Sequence, residues 1–384
     1  MPSILLHFHS LHSSPHQEIR IGVLKRSLAV IWVVKPMRQE TKVYVGLDVH
    51  KEFCQACVMN KSGKVISNER FLSTQEALDK YLDRFKDAEF VLESTGIWEF
   101  IYEGIEKRGF EVVLAHPLKV RAIAEAKVKT DKVDAEMLAH LLRADLIPRS
   151  HVPPRDIRNL RQLVRHRAYL VRQCTSIKNR IHAELLRRGI RRPDSLKKTF
   201  TFKHVGWMRS LDIPTISSNL KCLEEVQEQI EELNSVLLVE YNTRRKAQLL
   251  ATVPGIGFYG ALLILAEIDD IHRFSHPEKL CAYAGLVPTV HQSGSRGHNG
   301  SITKNGSPHL RWILIEAVHV HTNYCPGSKL SKFHAKVAQR RGKQRATVAT
   351  ARKLLHTIYW MLLTKEKFHC QGFNLVEKAA SMNA

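Results

Sequence analysis

Lys42-Val-Tyr-Val-Gly-Leu-Asp48 is an apolar run that ends in a carboxylate. Its β-branched and aromatic residues predict a buried strand. A lone carboxylate at the end of such a strand costs on the order of a few kcal/mol unless it is paired or coordinated, so Asp48 requires a partner. The segments that follow build a sheet around it. Phe53 to Met59 predicts a second strand, Lys61-Ser-Gly-Lys64 a hairpin turn, and Val65 to Phe71 a third strand. Ser73 is expected to cap a helix, with Glu76 at the capping-box position and Ala77, Leu78, Tyr81, Leu82 and Phe85 facing inward. Glu89 to Leu92 is a short fourth strand ending at Glu93. A helix from Trp98 to Arg108 and a strand from Glu111 to Ala115 come next.

The last element of this region, Thr130 to Ala144, is a helix with Met137, Leu138, Leu141 and Leu142 as its buried stripe. Asp131 and Asp134 stand three apart and share one face near its N-terminus. Three strands as a meander, then helix, strand, helix, strand, helix, is the ribonuclease H-like α/β order. It brings Asp48, Glu93, Asp131 and Asp134 together at one end of the sheet. Two divalent ions about 3.5–4 Å apart can activate an attacking oxygen and stabilise a leaving one in phosphodiester displacement. Mg²⁺ or Mn²⁺ in that role takes carboxylate oxygens. Alone, Asp131 and Asp134 are equally well explained as first-turn acids favoured by the helix dipole; Asp48 is harder to explain in that way.

The charge balance sharpens the point. The chain has 384 residues and a formal net charge of +22, with 59 Lys and Arg against 37 Asp and Glu. Such a chain has no electrostatic reason to gather carboxylates unless something more positive sits among them. The excess favours DNA or RNA as a partner over an anionic membrane, and no stretch reaches the roughly 18 apolar residues of a membrane span. The seven cysteines are scattered, and Cys54-x-x-Cys57 has no second pair at zinc spacing. They read as reduced, buried cysteines of a cytosolic protein. Residues 1–39 are expected to be a disordered leader, of which 1–36 are untranslated if initiation occurs at Met37. The apolar run Leu28 to Val34 is too short to span a membrane and precedes no cleavage site.

Three domains are expected: residues 40–148, a basic helical and coiled-coil linker over 149–247, and a mainly helical domain over 248–384. From His151 to Ser210 there are sixteen Lys or Arg and three acids. Arg161, Arg165, Arg172 and Arg180 fall around an apolar helical stripe, as a phosphate-facing helix requires; a merely solvated face is the blander explanation. Leu220, Leu223, Val226, Ile230, Leu233 and Leu237 have coiled-coil spacing, within the chain or between chains. Farther on, Thr252-Val-Pro-Gly-Ile-Gly257 before an apolar helix looks like a helix-hairpin-helix, whose Gly255 and Gly257 would present backbone N–H groups to a phosphate. A plain tight turn between core helices is the alternative. Pro326 to Lys365 holds ten Lys or Arg and no acid.

Three blocks carry a resemblance: Gly46-Leu-Asp48-Val-His-Lys51, Glu93-Ser-Thr-Gly96 and Lys129-Thr-Asp131-Lys-Val-Asp134-Ala135. They resemble the DEDD insertion-sequence transposases, whose first domain is similar to the RuvC Holliday-junction resolvase and which include the Piv DNA invertases. The resemblance implies metal-ligand roles for Asp48, Glu93, Asp131 and Asp134. It continues in Ala284-Gly-Leu-Val-Pro288, Gln292-Ser-Gly-Ser-Arg296 and Ile302 to Arg311, similar to the C-terminal domain of the same transposases. There it implies that Ser293 is the recombination nucleophile, with Lys304 and Arg311 able to neutralise phosphate charge. By composition alone, Ser295, Ser301 or Ser307 would serve as well. Asn305-Gly-Ser-Pro-His309 departs locally from the family pattern.

The resemblance spans residues 40 to 365 and implies a DNA recombinase acting by metal-assisted serine attack. Its expected partners are element-end and target DNA, a structured guide RNA and further copies of the chain. Two other readings are a metal-dependent nuclease of branched DNA using the carboxylates alone, and a non-catalytic nucleic-acid-binding remnant. A sugar-kinase-type ATPase, suggested by Tyr44 to Asp48, lacks a following glycine-rich phosphate loop.

Overall fold

The computed structural model describes residues 42–124, 130–293 and 296–370; the leader expected over 1–39 lies outside them. The chain forms two compact units, one ending at His151 and the other starting at Val152. The residues expected as a linker after 151 therefore share a unit with those that follow. Among the described residues, no helix is long and apolar enough to cross a membrane.

In the first unit, strands β1 (Val43–Val49), β2 (Phe53–Met59) and β3 (Val65–Leu72) form an antiparallel meander. Helix α1 (Gln75–Leu82) leads to β4 (Ala88–Glu93), and α2 (Trp98–Lys107) to β5 (Glu111–Ala115). Strands β4 and β5 run parallel to β1, giving the order β3-β2-β1-β4-β5. Helix α3 (Pro117–Ile123), unforeseen in the sequence, precedes α4 (Asp131–Arg143). One expected cap moves: Thr74, not Ser73, caps α1 by accepting from the Ala77 N–H. The Ser73 hydroxyl instead donates to the His50 carbonyl at 2.8 Å. Cys54 and Cys57 are buried, and burial pushes both thiols up to about 11.

The contact that positions the acids is a helix lying directly on a strand. Gly46 of β1 lies so close to α4 that a Cβ there would stand 2.1 Å from the Ala135 carbonyl oxygen and 2.6 Å from the Ala139 nitrogen. Ala135 and Ala139 are the small, fully buried residues that α4 presents to this glycine. Leu138, Leu141 and Leu142 bury beside them against Val91, Ala115 and Val120.

The second unit starts with the long helix α5 (Arg155–Arg187), the short α6 (Phe202–Ser210) and the long α7 (Pro214–Thr243). The apolar stripe of α7 packs within the chain. Leu220 meets Ile181 and Leu185, Leu223 and Ile230 meet Leu170 and Cys174, and Leu237 joins Leu160 and Val164. Of the two coiled-coil options, the seam is therefore the intramolecular one. Helix α8 (Arg245–Leu250) turns into α9 (Phe258–Ile268), which is buried from Tyr259 to Ile268 and is the axis of the core. Around it lie α10 (Pro277–Tyr283), the hairpin β6 (Pro288–Ser293) and β7 (Arg296–Ile302), then α11 (Pro308–Tyr324), α12 (Lys329–Arg341) and α13 (Lys343–Thr364).

Gly46→Ala is expected to destabilise the first unit by about 3 kcal/mol, because both atoms in the way are helix backbone and cannot rotate aside. Urea unfolding of the variant against wild type measures the loss.

Candidate active site

Asp48 and Glu93 occupy corresponding places on neighbouring parallel strands. Leu47 of β1 pairs with Leu92 of β4, and the carboxylates are the next residue on each. Open α/β sheets bind ligands beyond the carboxyl ends of such strands. Asp131 and Asp134 lie in the first turn of α4, which Thr130 caps by accepting from the Val133 N–H. All four carboxylates line one cleft of about 700 Å³, together with His50, Lys51, Thr95 and Arg121. The structure therefore brings together the acidic set that the sequence singled out.

Donors of the chain itself sit among these acids. His50 Nε2 is 3.0 Å from Asp48 Oδ2 and 3.5 Å from Asp131 Oδ1. Arg70 of β3 donates to Asp131 Oδ2 at 2.7 Å and, through Nε, to Gln55 Oε1 at 2.9 Å. Gln55 is fully buried and donates in turn to Asn68 Oδ1 at 2.6 Å, and the Arg70 guanidinium lies 4.3 Å over the Phe53 ring. Burial pushes the Asp48 carboxyl above its ordinary value, and the charges of Asp131 and Asp134 push the same way while His50 opposes them.

The donor set fits a divalent metal. Ligand atoms of Asp48, His50 and Asp131 all lie within 4.8 Å of one another, and Glu93 and Asp134 face the same space. Carboxylate oxygens suit Mg²⁺, and an added imidazole broadens the set toward Mn²⁺. His50 and Arg70 were missed as site residues in the sequence. Asp-x-His spacing on a strand could have flagged His50, since alternate residues share a face; Arg70 becomes visible only once β3 is paired with β2.

In the second unit, Ser293 is the last residue of β6 and stands opposite Arg296 across the ladder; Gly294 and Ser295 lie outside the described residues. Two turns near the hairpin interlock. A Cβ on Gly285 would lie 2.5 Å from the Asn305 carbonyl oxygen, and one on Gly306 would lie 1.9 Å from that of Tyr283. Both glycines have positive φ, which fits them to these positions. Arg311 Nη1 donates to the Ala284 carbonyl at 2.9 Å, bracing the same turn. Lys304 is exposed.

A buried carboxylate underlies this region. Glu267 is fully buried and accepts from Arg165 Nε at 2.8 Å, from Arg165 Nη2 at 3.0 Å and from the Ser307 hydroxyl at 2.9 Å. Burial pushes its carboxyl up, but the Arg165 hydrogen bonds and charge, with Arg161 and Ser307, outweigh it and hold it below the ordinary range. Arg161 donates twice to the Ala266 carbonyl, at 2.9 and 2.7 Å. Two of the four arginines expected to face phosphate are thus engaged inside the unit, because α5 packs on α9; Arg172 and Arg180 are exposed. Ser307 is buried and caps α11 by accepting from the Leu310 N–H, so its hydroxyl is occupied.

Gly255 and Gly257 connect α8 to α9. Gly255 has φ +100 and lies against α11, where a Cβ would stand 2.5 Å from the Ala317 carbonyl oxygen. The Pro254 carbonyl accepts from His321 Nδ1 at 2.9 Å. Gly257, the exposed N-cap of α9, has open space around its Cβ position.

Comparison with known proteins gives consistent matches. Residues 45–188 match a family model described as Transposase, of the DEDD IS110 type, and residues 247–335 match the Transposase IS116/IS110/IS902 family model. The chain is similar to the transposase for insertion sequence element IS1111A of Coxiella burnetii, at 26% identity over 92% of this chain and 98% of the relative. It is 28% identical to the transposase for element IS1328 of Yersinia enterocolitica, over 72% of this chain and 83% of the relative. The pilin gene-inverting protein of Moraxella bovis is 27% identical over 85% of this chain and 98% of its own length.

Two outcomes are expected from this geometry. Mg²⁺ at a hundred times its dissociation constant should stabilise wild type by about 2.7 kcal/mol, read as a higher melting temperature, while Asp48→Asn shows no such gain. Glu267→Gln should cost about 3 kcal/mol at neutral pH, at the lower end for a broken buried pair because Arg165 is partly exposed. Since the folded Glu267 carboxyl is held low, its contribution is complete above its unfolded value and lost on acidification. The stability gap between Glu267→Gln and wild type should therefore close as pH falls below the ordinary carboxylate range.

Proposed function

We propose that this chain, which belongs to the DEDD-type insertion-sequence transposases, cuts and rejoins DNA with a carboxylate metal centre in one unit and a serine nucleophile in the other. The observation that carries this reading is the cleft. Four carboxylates from three separated segments line it in a chain of net charge +22. The order β3-β2-β1-β4-β5 supports assigning the first unit to the ribonuclease H-like, RuvC-like class.

Asp48, Glu93, Asp131 and Asp134 would hold Mg²⁺ or Mn²⁺, which when bound supplies the positive charge that activates an attacking oxygen and stabilises a leaving one. The residues of the chain do the rest. Arg70 and His50 hold Asp131 and Asp48 in place when the cleft is empty of substrate. Ser293 Oγ forms a bond to phosphorus as the bond from phosphorus to one sugar oxygen breaks. The serine proton leaves with that step, and the departing sugar oxygen takes one up. Attack by a second sugar hydroxyl on the phosphoserine then reverses the exchange and frees Ser293. Lys304, and Arg311 where its remaining donors reach, would neutralise phosphate charge during the displacement. Arg172 and Arg180 of α5, and the exposed N-cap at Gly257, are the proposed backbone contacts to nucleic acid. The DNA partner would be the element's ends and its target, with a structured guide RNA and further copies of the chain completing the assembly.

The test is a trapping assay. Purified protein, Mg²⁺, RNA from the element and DNA carrying the element's end junction are quenched in detergent and run on a denaturing gel. A covalent protein–DNA band is expected in wild type and absent from Ser293→Ala and Asp48→Asn. Metal-dependent cutting without such a band, unchanged in Ser293→Ala, would make the protein a resolvase-like nuclease and leave Ser293 a hairpin residue.

A further inference from the structure

A second cavity, of about 400 Å³, opens in the second unit between α12, α13 and the segment after α13. Its floor is apolar, made by Leu330 and Phe333 of α12, Ala349 of α13 and Phe368. Its mouth is cationic, with Lys329, Arg352 and Lys353 around it. The Lys353 ammonium lies 4.5 Å over the Phe333 ring. The wall formed by residues 368–370 is held by the backbone: the Phe368 N–H donates to Thr252 Oγ1 at 3.1 Å, and the Lys329 N–H to the Cys370 carbonyl at 3.2 Å. The cavity is thus built from tied elements, and its size is that of ordinary small-molecule pockets.

We propose that this cavity takes one unstacked base of a single-stranded nucleic acid, with the phosphates on either side held at its cationic mouth. The proposal rests on the reading of the chain as a nucleic-acid enzyme. Charge complementarity selects the occupant. The strip from Pro326 to Lys365 holds ten Lys or Arg and no acid; the acids flanking the lining are Glu278, 3.9 Å from His356, and Glu366, two residues before Phe368, so cations still outnumber them. A polyanion with flat apolar rings satisfies both mouth and floor. The chain's own residues 371–384 do not, since Glu377 and Lys378 leave them without net charge. A base within a duplex is stacked on both faces and cannot enter, so the cavity selects for single strands or splayed loops.

Fluorescence anisotropy with the full chain, without metal, tests this. The probes are one labelled single strand made as RNA and as DNA, the same strand carrying abasic sites, and a duplex. Phe333→Ala and Phe368→Ala should each bind the intact single strand about ten-fold more weakly, as loss of a stacked base implies. Duplex binding and the salt slope should stay unchanged. Lys329→Ala or Arg352→Ala should instead lower the single-strand salt slope by about 0.7. Wild type should bind the abasic strand about ten-fold more weakly than the intact one, a reading that needs no change in the protein. A loss confined to RNA or to DNA would identify the strand. The proposal fails if wild type does not distinguish the abasic strand, or if the aromatic variants lose single-strand and duplex binding equally. It also fails if removing residues 371–384 raises affinity ten-fold, which would make that tail the occupant. Absence of any nucleic-acid binding by wild type would overturn the functional reading itself, whereas phosphate-only binding overturns this inference alone.

Discussion

The backbone of α4 lies on the backbone of β1 at Gly46, and the candidate centre depends on that approach. A helix held off by even one methyl group would carry its first turn away from the strand that ends in Asp48. With glycine on the strand and Ala135 and Ala139 on the helix, Asp131 comes close enough to share His50 with Asp48. Like charges brought so near repel, and burial of Asp48 adds a desolvation cost. Packing of Leu138, Leu141 and Leu142 against the sheet offsets this. The Arg70 guanidinium on Asp131 and the hydrogen bond between His50 and Asp48 lessen it further. The desolvation and mutual repulsion felt by Asp48 are what a bound cation would relieve, which supports the proposed metal centre.

The second unit uses the opposite arrangement for a different end. Glu267 sits at the end of the most buried helix and is satisfied by protein donors on every side. Its partners come from α5 and from the cap of α11, so one carboxylate ties three elements together. The two interlocked glycine turns, at Gly285 and Gly306, are fixed beside that tie. They flank the hairpin that carries Ser293 at its end. The role proposed for Ser293 needs a held position, since an in-line displacement depends on orientation, and the buried ion pair stands beside the turns that would provide it.

Much of this was legible in the residues. The strands of the first unit, and its helices other than α3, follow from turn chemistry and apolar spacing, because central strands covered on both faces read as continuous apolar runs. Asp48 and Glu93 were recognisable because each stands where an apolar run stops, and Asp131 and Asp134 because they share one face at a helix start. The coiled-coil stripe of α7 was legible as a seam, but not its partner, since spacing alone carries no information about which chain fills it. Arg161 and Arg165 illustrate the harder case. A basic residue beside an apolar stripe looks the same whether it faces phosphate or a buried carboxylate elsewhere in the sequence. Glu267 itself was hidden in an apolar run, and only the fold shows Arg165 opposite it. The hairpin β6–β7 was missed because Gly294 to Gly300 is rich in glycine and polar residues and lacks the alternation that marks a strand.

The most direct measurement is anomalous diffraction from crystals of the full chain grown with Mn²⁺. The account predicts a peak in the cleft, about 2.1 Å from carboxylate oxygens of Asp48 and Asp131, with Glu93 or Asp134 completing the set. A cleft that stays metal-free at saturating Mn²⁺, with His50 and Arg70 still paired to the acids, would contradict it and reduce the acidic cluster to a structural ion pair.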